Sequence, residues 1–162
     1  MKKMITNFKE EWKKDRIATA HSGENPMVIV KMKSGFAAIG DTQFLPGYTV
    51  LLPTKPFESL EALNVKERSD YLLDMSLIGE AILEVCKPRR VNYSIYGNTD
   101  AYLHAHVFPR YYWEPKERIP YPVWQYSSEK WSDPKYKYTD ESHGKIKEKL
   151  RIKIQELMKD SY

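Results

Sequence analysis

Cysteine and long apolar runs are almost absent from this sequence. Cys86 is the only cysteine among 162 residues, so the chain cannot form an internal disulfide. Charged residues recur from Lys2 onwards, and no run is long and apolar enough for a signal segment or a membrane span. These absences predict a cytoplasmic protein that has no membrane partner.

A strong excess of charge of one sign is also missing. The chain has 26 Lys and Arg residues against 22 Asp and Glu residues, which gives a formal net charge of +4 at pH 7. Both signs are interleaved along the terminal segments, which argues against a surface dedicated to nucleic acid. The small positive excess would favour an anionic small molecule, such as a nucleotide, as the partner.

Residues that can carry chemistry are concentrated between Tyr102 and Tyr111. Apolar residues alternate there with Tyr102, His104 and His106, which predicts a strand with both imidazoles on one face. Two residues of a strand rise about 6.6 Å, so both rings could contact one phosphate group or one metal ion. Pro109 is expected to end the strand pairing because it has no amide hydrogen.

A His-x-His pair alone leaves three interpretations open. The two histidines could be metal ligands, a catalytic pair or residues with a structural role, since imidazole suits all three. A metal site would need a further ligand, and Asp100 is the candidate for it. The residues on either side of the pair are therefore needed to choose between these three interpretations.

Two segments resemble the histidine triad (HIT) family of nucleotide hydrolases and transferases. The run from Asn92 to Tyr111, NYSIYGNTDAYLHAHVFPRY, is similar to the signature of that family. The run from Phe36 to Pro53, FAAIGDTQFLPGYTVLLP, is similar to its hairpin, in which a Pro-Gly turn separates two core strands. The two segments agree in order and spacing, and together they frame roughly residues 25–111.

The resemblance implies an α+β fold with a HIT-like antiparallel five-stranded sheet and helices. It also implies a homodimer in which the sheets continue across the interface. Residues 1–111 are expected to form the HIT-like catalytic domain. Residues 112–162, an aromatic and proline-rich segment followed by a C-terminal helix, are expected to pack on the same single domain or to brace the dimer partner.

The patterns of apolar residues place the individual elements. Strands are predicted at residues 27–33, 36–39, 48–52, 89–96 and 102–111. Helices are predicted at residues 3–14, from a capping box at Asn64 to Pro88, and after Thr139 or Asp140.

The resemblance also implies roles for the histidines. His104 matches the middle histidine of the triad, which forms a covalent nucleotidyl intermediate, and His106 matches the histidine that contacts the phosphate or bridging oxygen. Imidazole has a pKa of about 6.5 and is therefore mostly neutral, and able to attack phosphorus, at pH 7. No cofactor is expected for the covalent step, although a divalent ion such as Mg²⁺ can accompany the substrate.

Further residues are candidates for substrate binding. Asn98 and Thr99 are expected to bind phosphate oxygens, with ordinary turn residues as the alternative. Asp41 is expected to hold the ribose hydroxyls, unless the alignment is shifted and Gly40 takes that position.

The remaining candidates lie on the predicted strands. Asn92 could reach the site or point outwards, and Arg110 could hold a distal phosphate or form a salt bridge. Phe36 and Ile39 could form part of a slot for the base or belong to the core.

Tyr102 departs from the family, because it stands where the first histidine of the triad is expected. Tyrosine has a pKa near 10 and cannot carry a positive charge at neutral pH. The loss of an acid–base partner can cost a factor of about 10² or more in rate. The leading hypothesis is a hydrolase of dinucleoside polyphosphates or nucleoside phosphoramidates, and the alternative is a nucleotide-binding or sensing module with little or no turnover.

Overall fold

The computed structural model describes residues 10–162. The helix predicted over residues 3–14 therefore lies mostly outside the described residues. Its described end is a 3-10 helix, Glu11–Asp15, which leads directly into helix α1, Arg16–Ser22. The side chain of Asp15 caps α1 by accepting a hydrogen bond from the backbone of Ala18.

Five strands form one antiparallel sheet, which confirms the predicted α+β class. They are β1 (Val28–Lys31), β2 (Gly35–Ile39), β3 (Thr49–Pro53), β4 (Arg90–Ile95) and β5 (Ala105–Arg110). Their order in the sheet is β1-β2-β3-β5-β4. The histidine-bearing strand β5 thus has a neighbour on each side, and β4 forms an edge.

The prediction that Pro109 ends the strand pairing is wrong. Pro109 lies opposite Val91, and the pairing with β4 continues to Arg110. The carbonyl of Arg110 accepts from the amide of Arg89 on the β4 side, so the nitrogen of the preceding Pro109 faces the other way, towards β3. The pairing of β5 with β3 has already ended at Val107, and the missing amide hydrogen costs no ladder hydrogen bond.

Two long helices cover one face of the sheet. Helix α2, Val65–Cys86, begins at the predicted capping box, in which Asn64 and Glu67 bond to each other's backbone amides. The last helix, α4 (Asp140–Ser161), is capped by Thr139. Their apolar stripes pack with the strands into one core, which includes Tyr71, Ile78, Ile82, Leu150 and Ile154. Among residues 10–162, no helix has the length and apolar composition that crossing a membrane requires.

The opposite face of the sheet is covered by the aromatic segment, residues 112–138. This segment contains helix α3, Ser128–Ser132, between short 3-10 helices. Its aromatic side chains join Phe44 and Phe108 in a second apolar cluster. The segment packs on the sheet of its own chain.

A buried ion pair fixes the start of the aromatic segment. Arg110 is 2% exposed and Glu114 is 3% exposed, and the Arg110 Nε and Nη2 atoms donate to the Glu114 carboxylate at 2.9–3.1 Å. Glu114 also accepts from the amide of Tyr111 and the hydroxyl of Tyr126. Burial raises the pKa of Glu114, but the hydrogen bonds from Arg110 and Tyr126 outweigh it and the pKa is lowered overall.

Removal of the Glu114 carboxylate should destabilise the fold. Glu114→Ala leaves the guanidinium of Arg110 buried without its counter-charge, which is expected to lower the free energy of unfolding by about 3–5 kcal/mol. Urea denaturation measures the change. Glu148→Ala, which removes an exposed ion pair with Arg151, is the matched control and should shift the midpoint little; equal shifts for the two variants would contradict the role of the buried pair.

Candidate active site

The two histidines lie side by side on the sheet face that the aromatic segment covers. His104 directly precedes β5 and His106 is its second residue. Their ring centroids are 4.9 Å apart, with the rings inclined at 74°. The intervening Ala105 and the following Val107 are fully buried in the core under the long helices, as strand alternation requires.

The backbone sets the tautomer of His104. Its Nδ1 lies 2.8 Å from the carbonyl oxygen of Tyr102. A carbonyl oxygen can only accept, so Nδ1 carries the hydrogen and Nε2 of the neutral ring has a free lone pair. The more nucleophilic nitrogen is therefore the one directed away from the backbone.

A tyrosine hydroxyl sets the opposite tautomer in His106. The hydroxyl of Tyr48 lies 2.7 Å from His106 Nδ1. Burial raises the pKa of Tyr48, so the phenol keeps its proton, and within residues 10–162 it has no other acceptor. Nδ1 therefore accepts, and the hydrogen of His106 is on Nε2.

His106 is neutral over the ordinary pH range. Burial, with a smaller contribution from His104, lowers the pKa of His106 to about 4. The ring acts as a neutral hydrogen-bond donor through Nε2 at pH 5 and above. The site thus pairs a nucleophilic nitrogen on His104 with a donor on His106.

Tyr102 contributes differently from the expected histidine. Its ring centroid is 5.3 Å from that of His104, and its carbonyl, as described above, orients His104. Burial and the nearby charge of Asp100 raise the pKa of Tyr102, so the phenol is neutral. The contact that orients His104 therefore comes from the backbone of Tyr102 and not from its side chain.

An inner cavity of about 200 Å³ opens beside the histidines on the β2 and β3 side. Its apolar lining includes Met27, Ala38, Ile39, Val50 and Leu52. Gly40 and Asp41, the two candidates for the ribose contact, both line this cavity. Phe36 does not line it: this residue is buried in the core against the ring of His21, at a centroid distance of 4.9 Å.

Asp41 is paired with an arginine that the sequence analysis did not identify. Arg16 Nη1 and Nη2 donate to the two Asp41 carboxylate oxygens at 3.1 and 2.7 Å. Arg16 lines the inner cavity together with Tyr102 and Asp100. No local pattern in the sequence marks Arg16, since it lies 25 residues before its partner and outside the segments that resemble the HIT family.

An outer cleft of about 420 Å³ lies on the other side of the histidines. Its lining consists of Tyr96, Gly97, Asn98, Thr99, Asp100, His104, His106 and Trp124. The turn after β4 therefore brings Asn98 and Thr99 to the histidines, where both side chains are exposed.

Arg110 and Asn92 do not lie at the histidines. All the donor nitrogens of Arg110 bond within the chain: besides Glu114, they donate to Asn92 Oδ1 and to the carbonyls of Tyr121 and Arg118. Neither residue lines the inner cavity or the outer cleft. The predicted phosphate contact of Arg110 is therefore wrong, and the salt-bridge alternative is the one observed, because Glu114 uses the guanidinium.

Two tryptophans from the aromatic segment complete the site. Trp124 meets the ring of His106 edge to face at 4.9 Å, and Trp131 stacks on Trp124 at 5.1 Å. Trp131 lines the inner cavity and Trp124 the outer cleft. The density of aromatic residues predicted that this segment packs, but nothing in the sequence predicted that it reaches the histidines.

The described residues do not form a three-ligand metal site. Among residues 10–162, no three His, Cys, Asp or Glu side chains come together so that they could hold a metal ion. His104, His106 and Asp100, the ligands of the metal interpretation, are therefore not arranged as such a site.

The fold is that of histidine triad proteins. No protein-family model matches the sequence, and no curated protein is similar enough to match it. A histidine triad protein from Marinobacter aquaeolei is similar in structure at 22% identity, with a TM-score of 0.67 over 80% of this chain and 89% of its own. One from Bradyrhizobium japonicum has a TM-score of 0.68 at 18% identity, over 83% of this chain and 94% of its own.

A more distant structure with the same fold is an enzyme. The diadenosine triphosphate hydrolase of Plasmodium falciparum is 16% identical, with a TM-score of 0.57 over 80% of this chain and 77% of its own. At these identities the likeness establishes the fold.

Tyr48→Phe should change the tautomer of His106. Without the hydroxyl, His106 Nδ1 loses its donor, and the neutral ring is expected to become a mixture of the two tautomers. The ¹⁵N chemical shifts of the His106 ring at pH 7 measure the tautomer ratio directly. Tyr126→Phe removes a hydroxyl elsewhere on the same sheet face and should leave those shifts unchanged; an unaltered His106 spectrum in Tyr48→Phe would refute the assignment.

Proposed function

We propose that the protein is a nucleotide hydrolase of the HIT family that works through a covalent nucleotidyl-histidine. The observation that supports this most is the pair of opposite tautomers, with a free Nε2 lone pair on His104 beside an Nε2 hydrogen on His106. This arrangement supplies a nucleophile for phosphorus and a donor for the charge that develops on a phosphoryl oxygen. The histidine triad fold, shared with a diadenosine triphosphate hydrolase, agrees with this class of substrate.

The nucleoside part of the substrate is assigned to the inner cavity. Its apolar lining suits a base, and Asp41 is placed to accept from ribose hydroxyls. Arg16 uses one position on each carboxylate oxygen, and a carboxylate has about four acceptor positions in all. The remaining positions are sufficient for two hydroxyl groups.

The reaction proceeds in two displacements. His104 Nε2 attacks the α-phosphorus, the bond from phosphorus to the bridging oxygen breaks, and the electron pair leaves with that oxygen. Water then attacks the same phosphorus and gives up a proton to the solvent, the phosphorus–nitrogen bond breaks with its electron pair returning to His104 Nε2, and a nucleoside monophosphate is released. His106 Nε2 donates to the reacting phosphate, and Asn98 and Thr99 bind phosphate oxygens from the outer cleft.

The covalent step uses only side chains of this protein. A divalent ion such as Mg²⁺ would enter with a polyphosphate substrate and would neutralise part of its charge.

The alternative is a nucleotide-binding module with little turnover. Tyr102 favours it, because a neutral phenol with a raised pKa is a poor acid for a leaving group. Binding without release of nucleotide would identify this alternative.

His104→Ala should abolish both the adduct and the turnover. The wild-type protein is mixed briefly with diadenosine tetraphosphate, or separately with an adenylate phosphoramidate, and the reaction is quenched. Intact-mass analysis should then show an adenylate adduct on the wild-type protein, or a parallel nucleotide assay should show free AMP. The His104→Ala variant should show neither, because the nucleophile is absent, whereas His143→Ala in the first turn of α4, which lines neither the inner cavity nor the outer cleft, should behave as the wild-type protein. Release of nucleotide by His104→Ala at the parent rate would refute the mechanism.

The edge of the sheet also supports a homodimer. Leu72 and Leu83 on α2 are exposed and share the helical stripe of Gly79, which contacts the hydroxyl of Tyr93 on the edge strand β4. Tyr93 itself is 43% exposed. An exposed apolar strip beside an unpaired strand edge is suited to a second copy of the chain.

Leu83→Glu should dissociate this dimer. Sedimentation velocity of the wild-type protein should give twice the monomer mass of 19.1 kDa. The Leu83→Glu variant should sediment as a monomer, because the substitution places a charge in the apolar interface. Val65→Glu, at an exposed apolar position at the start of α2, should remain dimeric. A wild-type protein that sediments as a monomer would refute the proposed homodimer.

A further inference from the structure

The outer cleft presents two aromatic side chains that the two displacements described above do not use. Tyr96 is 58% exposed and Trp124 is 39% exposed. Their rings meet edge to face at a centroid distance of 5.7 Å. Both line the cleft that also contains the histidines and the turn of residues 97–100.

Trp124 is held in place before any ligand binds. One contact is the parallel stack on Trp131, at 5.1 Å and 8°, and another is the edge contact with His106. The indole nitrogen donates to Ser94 Oγ at 3.3 Å. An aromatic surface that is exposed yet already fixed loses little conformational freedom when a second ring stacks on it.

The position of the histidines indicates which part of the substrate the outer cleft can bind. His104 and His106 line both the inner cavity and the outer cleft, so the reacting phosphorus lies between the two spaces. With the nucleoside in the inner cavity, the group that departs from phosphorus has the outer cleft available to it.

We propose that the outer cleft is a leaving-group subsite in which Tyr96 and Trp124 select leaving groups that carry an aromatic ring, such as the second nucleoside of a dinucleoside polyphosphate. This inference rests on the proposed nucleotide hydrolysis. Bases stack on aromatic side chains whatever their sequence, because every base has a π face. The exposed Asn98 and Thr99 lie between Tyr96 and His104 in the chain and line the same cleft, where the phosphate chain would run.

The chemistry of departure also favours a leaving group linked through phosphate. A polyphosphate leaves as an oxyanion and needs no proton, whereas the amine of a phosphoramidate must be protonated as it leaves. His106 is a neutral donor and Tyr102 a neutral phenol, so neither is a strong acid at pH 7. A second nucleotide satisfies both requirements: its base can stack on the aromatic side chains, and its phosphate link can leave without a proton.

The test compares two ligands that differ in the second nucleoside. Binding of diadenosine tetraphosphate and of adenosine tetraphosphate is measured by titration calorimetry with the His104→Ala protein, which cannot form the adduct. The dinucleotide should bind about tenfold more tightly. Adding Trp124→Ala or Tyr96→Ala should reduce that ratio to near one, whereas Trp113→Ala, which removes another exposed tryptophan, should keep the ratio.

The outcomes separate the subsite from the function on which it rests. Equal affinities for the two ligands, or a ratio that survives both Tyr96→Ala and Trp124→Ala, overturns the subsite and leaves the nucleotide site in place. Failure of both ligands to bind overturns the proposed function and the subsite together. Tyr96 is more exposed than Trp124 and lies outside the apolar clusters, so its variant decides the question if Trp124→Ala does not fold.

A second arm tests the chemistry with the wild-type protein. The ratio kcat/KM should be at least about tenfold higher for diadenosine tetraphosphate than for an adenylate phosphoramidate, because only the amine needs a proton to leave. A phosphoramidate that is cleaved as fast or faster overturns the preference for a phosphate-linked leaving group.

Discussion

The ion pair of Arg110 and Glu114 determines where the aromatic segment lies. Arg110 is two residues from Phe108 and four from His106, so strand alternation puts all three on one face of the sheet. Its guanidinium binds Glu114 and the carbonyls of Arg118 and Tyr121, which folds the chain back over that face. Trp124 then reaches His106. One buried cation thus connects the strand that carries the histidines to the segment that encloses them.

The chemistry of the two histidines is decided by groups far from the motif or in the backbone. A His-x-His pattern gives two identical rings, yet their tautomers are opposite because Nδ1 of one faces a carbonyl and Nδ1 of the other faces a hydroxyl. Tyr48, which directly precedes β3, the strand paired with β5, provides that hydroxyl. Its ring stacks on Phe108 at 4.1 Å, which holds the hydroxyl at the imidazole.

The sequence predicted those parts of the structure that depend on local periodicity. The five strands, the capping box at Asn64 and the place of His104 and His106 on one face all follow from alternation, helical spacing and capping. The ion pairs of Asp41 and Arg110 do not follow from these patterns. Arg16 is brought close to Asp41 only by tertiary packing, and the pairing of Glu114 with Arg110 depends on the turn after β5. The prediction for Pro109 is wrong for a related reason: a proline ends a ladder only on the side that its nitrogen faces, and this side depends on the register of the two neighbouring strands.

Charges of opposite sign act on Tyr102 at the inner cavity. Arg16 and Tyr102 both line this cavity, and the charge of Arg16 acts on the Tyr102 hydroxyl by lowering its pKa, against the larger effect of burial. The charge of Asp100, which raises that pKa, outweighs the effect of Arg16, so Tyr102 stays neutral, and Asp41 holds the guanidinium of Arg16 in place with two hydrogen bonds. The positive charge on this side of the site therefore belongs to Arg16. Its guanidinium keeps that charge at any pH at which the protein is folded, so the positive charge at the inner cavity does not depend on the titration of a histidine.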